Sequence, residues 1–198
     1  MKKTEDRRIQ KTRKLLQEAL VSLILEKNYE SISVQDILDR ANVGRSTFYT
    51  HFQNKDELLI NGVHHDLRGM LQTAQVAAST VPSKPYEKII GFSLTMFEHA
   101  YEYRGVWKAL LVSRAGAVVR QNIQEMLADL IRDGYRKEFQ RRRKADFEVP
   151  FELLIHFLAS TFMSVMTWWL NQSNPILPKK IDIVFRSLVM PVIASNFD

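Results

Sequence analysis

The 198-residue chain has no cysteine. Disulfides and thiol chemistry are excluded, and a zinc site would have to be built from histidine and carboxylates alone. Proline and glycine are scarce, at 6 and 7 residues. No glycine-rich phosphate loop, nucleophile elbow or metal signature occurs. The histidines on apolar stretches have no paired nucleophile, so the expectation is a protein that is not an enzyme and carries no cofactor. Strand-like alternation, internal repeats and low-complexity tracts are lacking. No apolar run is read as approaching membrane-spanning length. The segment Met1-Lys2-Lys3-Thr4-Glu5-Asp6-Arg7-Arg8 lacks the apolar core of a signal peptide.

Apolar residues at 45% and charged residues at 25% suffice for a buried core. The net charge of +6 is unevenly placed. Lys2, Lys3, Arg7, Arg8, Lys11, Arg13 and Lys14 outweigh Glu5 and Asp6 and hold nearly all of it. Such an arm suits phosphate attraction.

Helical periodicity fills most of the rest. Leu16, Leu20, Leu23 and Ile24 make one face of a helix over Thr12 to Lys27, broken at Asn28-Tyr29-Glu30-Ser31. Further helices are expected over Lys55 to Ala78, Tyr86 to Tyr103, Trp107 to Ser113, Val118 to Lys144, Phe151 to Asn171 and Lys180 to Ser195. Prolines mark a loop at Ser79 to Pro85, and Pro191 should kink or shorten the last helix. The fold class expected is all-α.

The most informative stretch runs from Ser33 to Phe52. Ile37, Leu38 and Ala41 share a helix face, and Phe48 and Phe52 stack four residues apart on the next. Between them Asn42-Val43-Gly44 has the composition of a reversal, with Gly44 the residue that tolerates left-handed angles. Ser33 before Asp36 suits a capping box, and Asn54 before Glu57 signals another helix start. Arg45, Ser46, Thr47, Tyr49, Thr50 and His51 remain to point outward, all able to donate hydrogen bonds. That is the composition of a major-groove reader.

The string Val43-Gly44-Arg45-Ser46-Thr47-Phe48-Tyr49-Thr50-His51-Phe52-Gln53-Asn54-Lys55-Asp56-Glu57-Leu58-Leu59 resembles the DNA-binding domain of the TetR family of bacterial transcriptional regulators. The likeness covers about Arg8 to Asp66. It implies a three-helix reader in residues 1–65, with the helix-turn-helix at about 33–52, and a helical ligand-binding and dimerisation domain in residues 66–198. It also implies a cytoplasmic, nucleoid-associated regulator acting as a homodimer on a double-stranded DNA operator. A small-molecule effector would release a repressor. The alternative is control by a protein partner, as in a coactivator or cell-division factor. The Trp168-Trp169-Leu170 segment loosely resembles bodies found among regulators of dihydroxyacetone metabolism.

Arg45 opens the reading helix, where it can pair with guanine or contact a phosphate. Ser46 and Thr47 can touch bases or thymine methyls. The resemblance assigns Tyr49 and His51 to phosphates. Lys55, at a helix start, is expected on a phosphate, and Ser33 and Thr50 complete the DNA-binding set. Phe92, Met96, His99, Tyr103, Trp107, Met126 and Phe162 are candidates for an effector pocket, or for plain core. His64 and His65, adjacent on a helix, face apart and do not suggest a metal. Arg141-Arg142-Arg143-Lys144 reads as a second basic patch or a solvated helix end. The dimer surface is expected on the last two helices. One side of the first carries Phe151, Leu154, Ile155, Leu158, Phe162, Val165 and Trp169, the other His156, Ala159, Ser160, Met163 and Thr167. The second contributes Ile183, Val184, Phe185, Leu188 and Val192.

Overall fold

The computed structural model describes residues 2–80, 85–111, 114–138 and 149–195. Among these every regular element is helical: α1 (Lys2–Glu26), α2 (Val34–Ala41), α3 (Arg45–His51), α4 (Lys55–Thr80), α5 (Ser93–Glu102), α6 (Arg104–Leu111), α7 (Arg114–Glu138), α8 (Phe151–Leu170) and α9 (Pro178–Ser195). Short 3-10 segments stand at Tyr29–Ser31 and Pro85–Ile90. The all-α expectation holds. Val81 to Lys84 and Arg141 to Lys144 lie outside the described residues, as do the side chains of His64 and His65.

The chain forms two compact units, one of residues 1–66 with 105–119, the other of 67–104 with 120–198. In the first, α1 packs on α2 and α2 on α3. The predicted face of α1, Leu16, Leu20, Leu23 and Ile24, is buried. The helix begins at Lys2 rather than near Thr12, so the basic arm continues α1. Neither proline nor glycine interrupts residues 1–27, and lysine, arginine and glutamine favour the helix. Two bridges tie α1 to α2. Arg40 holds Glu26 through both nitrogens, at 2.7 and 2.6 Å, and Lys27 reaches Asp36 at 3.0 Å.

In the second unit an aromatic cluster forms the core. Phe162 lies 4.7 Å from Phe97, 5.8 Å from Phe92 and 5.0 Å from Phe185, ring centre to ring centre. The edge of Trp169 meets Phe97 at 5.5 Å. A buried polar tie crosses from α5 to α9: Ser93 donates to Asp182 at 2.5 Å, and Arg186 donates to Asp182 at 2.9 Å and to Ser93 at 3.0 Å.

Periodicity reads Tyr86 to Tyr103 as one helix; the structure breaks it at Gly91 and Phe92. The Gln75 side chain compensates that break. Its nitrogen donates to the carbonyls of Lys88 and Ile89, at 2.7 and 2.8 Å, and its oxygen accepts from the Phe92 amide at 3.0 Å. Gly134 lets α7 approach, because a Cβ there would stand 2.7 Å from the Gln75 nitrogen. Two other boundaries move: α6 starts at Arg104, and α9 runs through Pro191 without ending.

The 20-residue α8 corrects the reading of apolar runs. By length and composition it is long and apolar enough to cross a membrane, with half of its most apolar window buried within the fold. Polar residues such as His156, Ser160 and Thr167 disguise its total length as an ordinary amphipathic pattern.

Candidate nucleic-acid interface

Local chemistry sets the α2–turn–α3 unit. Ser33 caps α2: its hydroxyl oxygen accepts from the Asp36 amide at 3.1 Å, and the Asp36 carboxylate accepts from the Ser33 amide at 2.7 Å and hydroxyl at 2.6 Å. Those two donors, with Lys27 beyond them, hold the Asp36 carboxyl well below the usual carboxylate range. The left-handed residue of the turn is Asn42, at φ 51, and not Gly44. Asparagine is among the few residues bearing a Cβ that are enriched in that region. Gly44 is extended, at φ −69 and ψ 149, and precedes α3 with no side-chain cap. A Cβ at Gly44 would find nothing closer than 3.9 Å, so the fold does not require glycine there.

The underside of α3 is closed. Phe48 and Phe52 are buried, as are Ile37 and Leu38 of α2, and the two phenylalanine rings stand 5.9 Å apart. Ala41 and Val43, placed on the same apolar side, are half-buried. Above this base Arg45, Ser46, Tyr49 and Thr50 are exposed and Thr47 and His51 half-buried. The Arg45 guanidinium stands over the Tyr49 ring at 5.7 Å. Thr50 donates to the Ser46 carbonyl at 2.9 Å, which commits its proton to the helix. His51 is held below its ordinary value, first by burial and then by the charge of Arg13.

Arg13, read from the sequence only as one charge of the basic arm, has a particular place beside α3 that the sequence reading did not give it. From α1 it reaches over the Phe52 ring at 5.9 Å, which brings a cation beside the reading helix. Its place one turn before the buried Leu16, at the rim of α1's apolar face, is the signal that could have found it.

Lys55, expected on a phosphate, bonds to its own chain. Its ammonium donates to the carbonyls of Tyr29, Glu30 and Ile32, at 2.9, 3.3 and 2.7 Å, and lies 4.6 Å from the Tyr29 ring centre. The start of α4 is capped as the sequence predicts, Asn54 accepting from the Glu57 amide at 2.8 Å and Glu57 from the Gln53 amide at 2.7 Å.

The expected effector residues are distributed over the two units. Phe92, Met96, Met126 and Phe162 are buried and His99 is half-buried in the second unit. Tyr103 is exposed, and the buried Trp107 belongs to the first unit. The apolar face left uncovered on α8 also differs from the expected one. Ala159 and Met163 are buried along with Leu154, Ile155, Leu158, Phe162 and Trp169. The exposed apolar residues are Leu153, Phe157 and Trp168 on α8, with Ile183, Val184 and Leu188 on α9, whereas Phe185 is core.

A short helix that exposes donors, seated on a buried aromatic base behind a capped partner helix, defines a DNA-binding regulator of the helix-turn-helix class. Residues 16–61 match the bacterial regulatory proteins of the tetR family, and residues 87–190 match a transcriptional regulator C-terminal region. The chain belongs to the TetR family and is a TetR-type transcriptional regulator.

The chain is 36% identical over 75 residues to the uncharacterized HTH-type transcriptional regulator YxbF of Bacillus subtilis strain 168, over 37% of this chain and 20% of that one. It is 44% identical over 48 residues to the HTH-type dhaKLM operon transcriptional activator DhaS of Lactococcus lactis subsp. lactis strain IL1403, over 24% of this chain and 26% of DhaS. These matches span a fifth and about a quarter of the curated relatives' lengths. A TetR transcriptional regulator from Streptococcus agalactiae 2603V superposes with a TM-score of 0.64 at 25% identity, over 96% of this chain and 99% of that one.

Proposed function

We propose that the chain is an operator-binding repressor that works as a homodimer and is released by a small molecule. The observation that carries the reading is the exposed face of α3, Arg45 to His51, over its buried phenylalanines. Arg45 takes the guanine-reading role, with Ser46 and Thr47 beside it on base edges. Tyr49 and His51 fix the docking pose on phosphates. Arg7, Arg8, Lys11, Arg13 and Lys14 are all exposed on α1 and supply phosphate attraction. Residues 1–65 are the reading domain and 66–198 the dimerisation and effector domain.

One reader contacts too few bases for useful specificity, and half-sites lie about 34–36 Å apart or a multiple of that. The uncovered stripe of Leu153, Phe157 and Trp168 with Ile183, Val184 and Leu188 supports pairing of two copies. The effector site is assigned to the second unit, near Phe92, Met96, His99, Met126 and Phe162; the exposed Tyr103 and the separately placed Trp107 are not retained. The sign of the output is open to a second reading, because DhaS, to which 48 residues of the chain are similar, is an activator.

The test starts from a random-sequence duplex pool. The chain should enrich a palindromic site, bind it as two copies, and lower transcription from a promoter overlapping that site. Raised transcription would establish the activator reading, and failure to enrich any site would overturn the DNA-binding assignment.

A further inference from the structure

We infer that Lys55 is a positioning residue of the reading unit and not one of its phosphate contacts. The inference rests on the DNA-binding reading above and alters the role of one residue within it.

An ammonium group has three protons to donate and no acceptor. All three are matched here by the carbonyls of Tyr29, Glu30 and Ile32. Beneath them the ring of Tyr29, itself 1% exposed, presents its face to the same charge. A phosphate could recruit Lys55 only by stripping it of these partners. The placement is also costly in one respect, because Lys55 opens α4 and a cation at a helix N-terminus opposes the dipole. The three carbonyls offset that cost.

The neighbouring residue completes the hold. Asp56 accepts the hydroxyl proton of Tyr29, so the first two residues of α4 grip both the backbone and the ring of a turn 26 and 27 residues earlier. The consequence runs into α2. The Ile32 carbonyl, bonded at 2.7 Å, belongs to the peptide whose nitrogen is the Ser33 amide. That amide donates to Asp36 in the cap of α2. Lys55 therefore orients the entry to α2, and through α2 the seat of α3.

The test uses the full-length chain and the duplex it enriches from a random pool. Lys55→Met should weaken binding at least fivefold. The slope of log affinity against log salt should stay within about 0.3 of wild type, whereas a lost phosphate contact would flatten it by about 0.9. Combined with Ser33→Ala, the loss should be smaller than the product of the two single losses. A flattened slope, full additivity or an unchanged affinity would each overturn the inference.

Should Lys55→Met not fold, the wild-type chain still decides. Acetylation read by mass spectrometry should be at least tenfold slower at Lys55 than at the exposed Lys179, and the duplex should change the Lys55 rate less than twofold. Fast acetylation that the duplex suppresses would overturn the inference. A chain that enriches no duplex would overturn the underlying reading instead, and would show it before any variant is made.

Discussion

The guanidinium of Arg45 rests over the ring of Tyr49, one helical turn further along α3, at 5.7 Å. Tyr49 is nearly half exposed, so the pair holds a cation in place at the head of the reading face. Ordering a long side chain costs conformational entropy on binding, and the ring lowers that cost in advance. Arg45→Ala should reduce affinity for the enriched duplex by about 1–3 kcal/mol, the discrimination of one bidentate guanine contact. Titration of a scrambled duplex should show a much smaller loss. Equal losses on both duplexes would make Arg45 a backbone contact only.

Ser33→Ala removes the hydroxyl that caps α2. Loss of such a cap costs about 1 kcal/mol. For a chain of this size the melting temperature should fall by roughly 2–4 °C. Calorimetry on the unliganded chain checks this, and Ser33→Asn should recover most of the loss.

The Asp36 carboxyl is held low by Ser33 and Lys27. A depressed carboxylate contributes stability that is present above the unfolded value of about 3.9 and is lost as pH falls through the folded one. Wild type should therefore lose stability below about pH 5 more steeply than Asp36→Asn. Chemical denaturation between pH 3 and pH 7 measures the difference. Parallel curves would show that Asp36 does not contribute to the acid limb.

His51 is held below its ordinary value, by burial first and Arg13 second. The folded free chain therefore favours the neutral ring, and its stability should fall as pH drops through about 6.5. A phosphate beside the ring would favour the charged form. Binding to duplex should accordingly take up protons between about pH 6 and 8, read as a buffer-dependent heat, and His51→Asn should abolish that uptake. Proton release on binding would place His51 away from any phosphate.

Trp168→Lys with Leu188→Lys puts two charges on the uncovered stripe of α8 and α9. Sedimentation should show a monomer, and affinity for a two-half-site duplex should fall at least tenfold. An intact dimer would move the pairing surface elsewhere.

The reading unit was legible because its signals are local. Ser33 and Asp36 are three residues apart, and Phe48 and Phe52 four, so spacing alone fixes the cap and the underside. Asn42 and Gly44 were harder to separate, since either can take the left-handed angle and only the built turn decides. The break at Gly91 was invisible because Gln75, far earlier in sequence, supplies its hydrogen bonds. The hydrogen bonds of Lys55 were hidden for the same reason: its acceptors lie in a turn that no short window contains. On α8 both sides are apolar, and periodicity could not say that Leu153, Phe157 and Trp168 stay uncovered while Ala159 and Met163 do not.

Trp168 and Trp169 are consecutive, yet one indole faces solvent and the other is sealed, its nitrogen donating to the Ile176 carbonyl at 2.8 Å. That contrast is a built-in optical gauge. Iodide reaches the first fluorophore and not the second, so the quenchable share of the emission registers whatever comes to cover α8. Covering or uncovering of that face can thus be followed in unlabelled chain, by light alone.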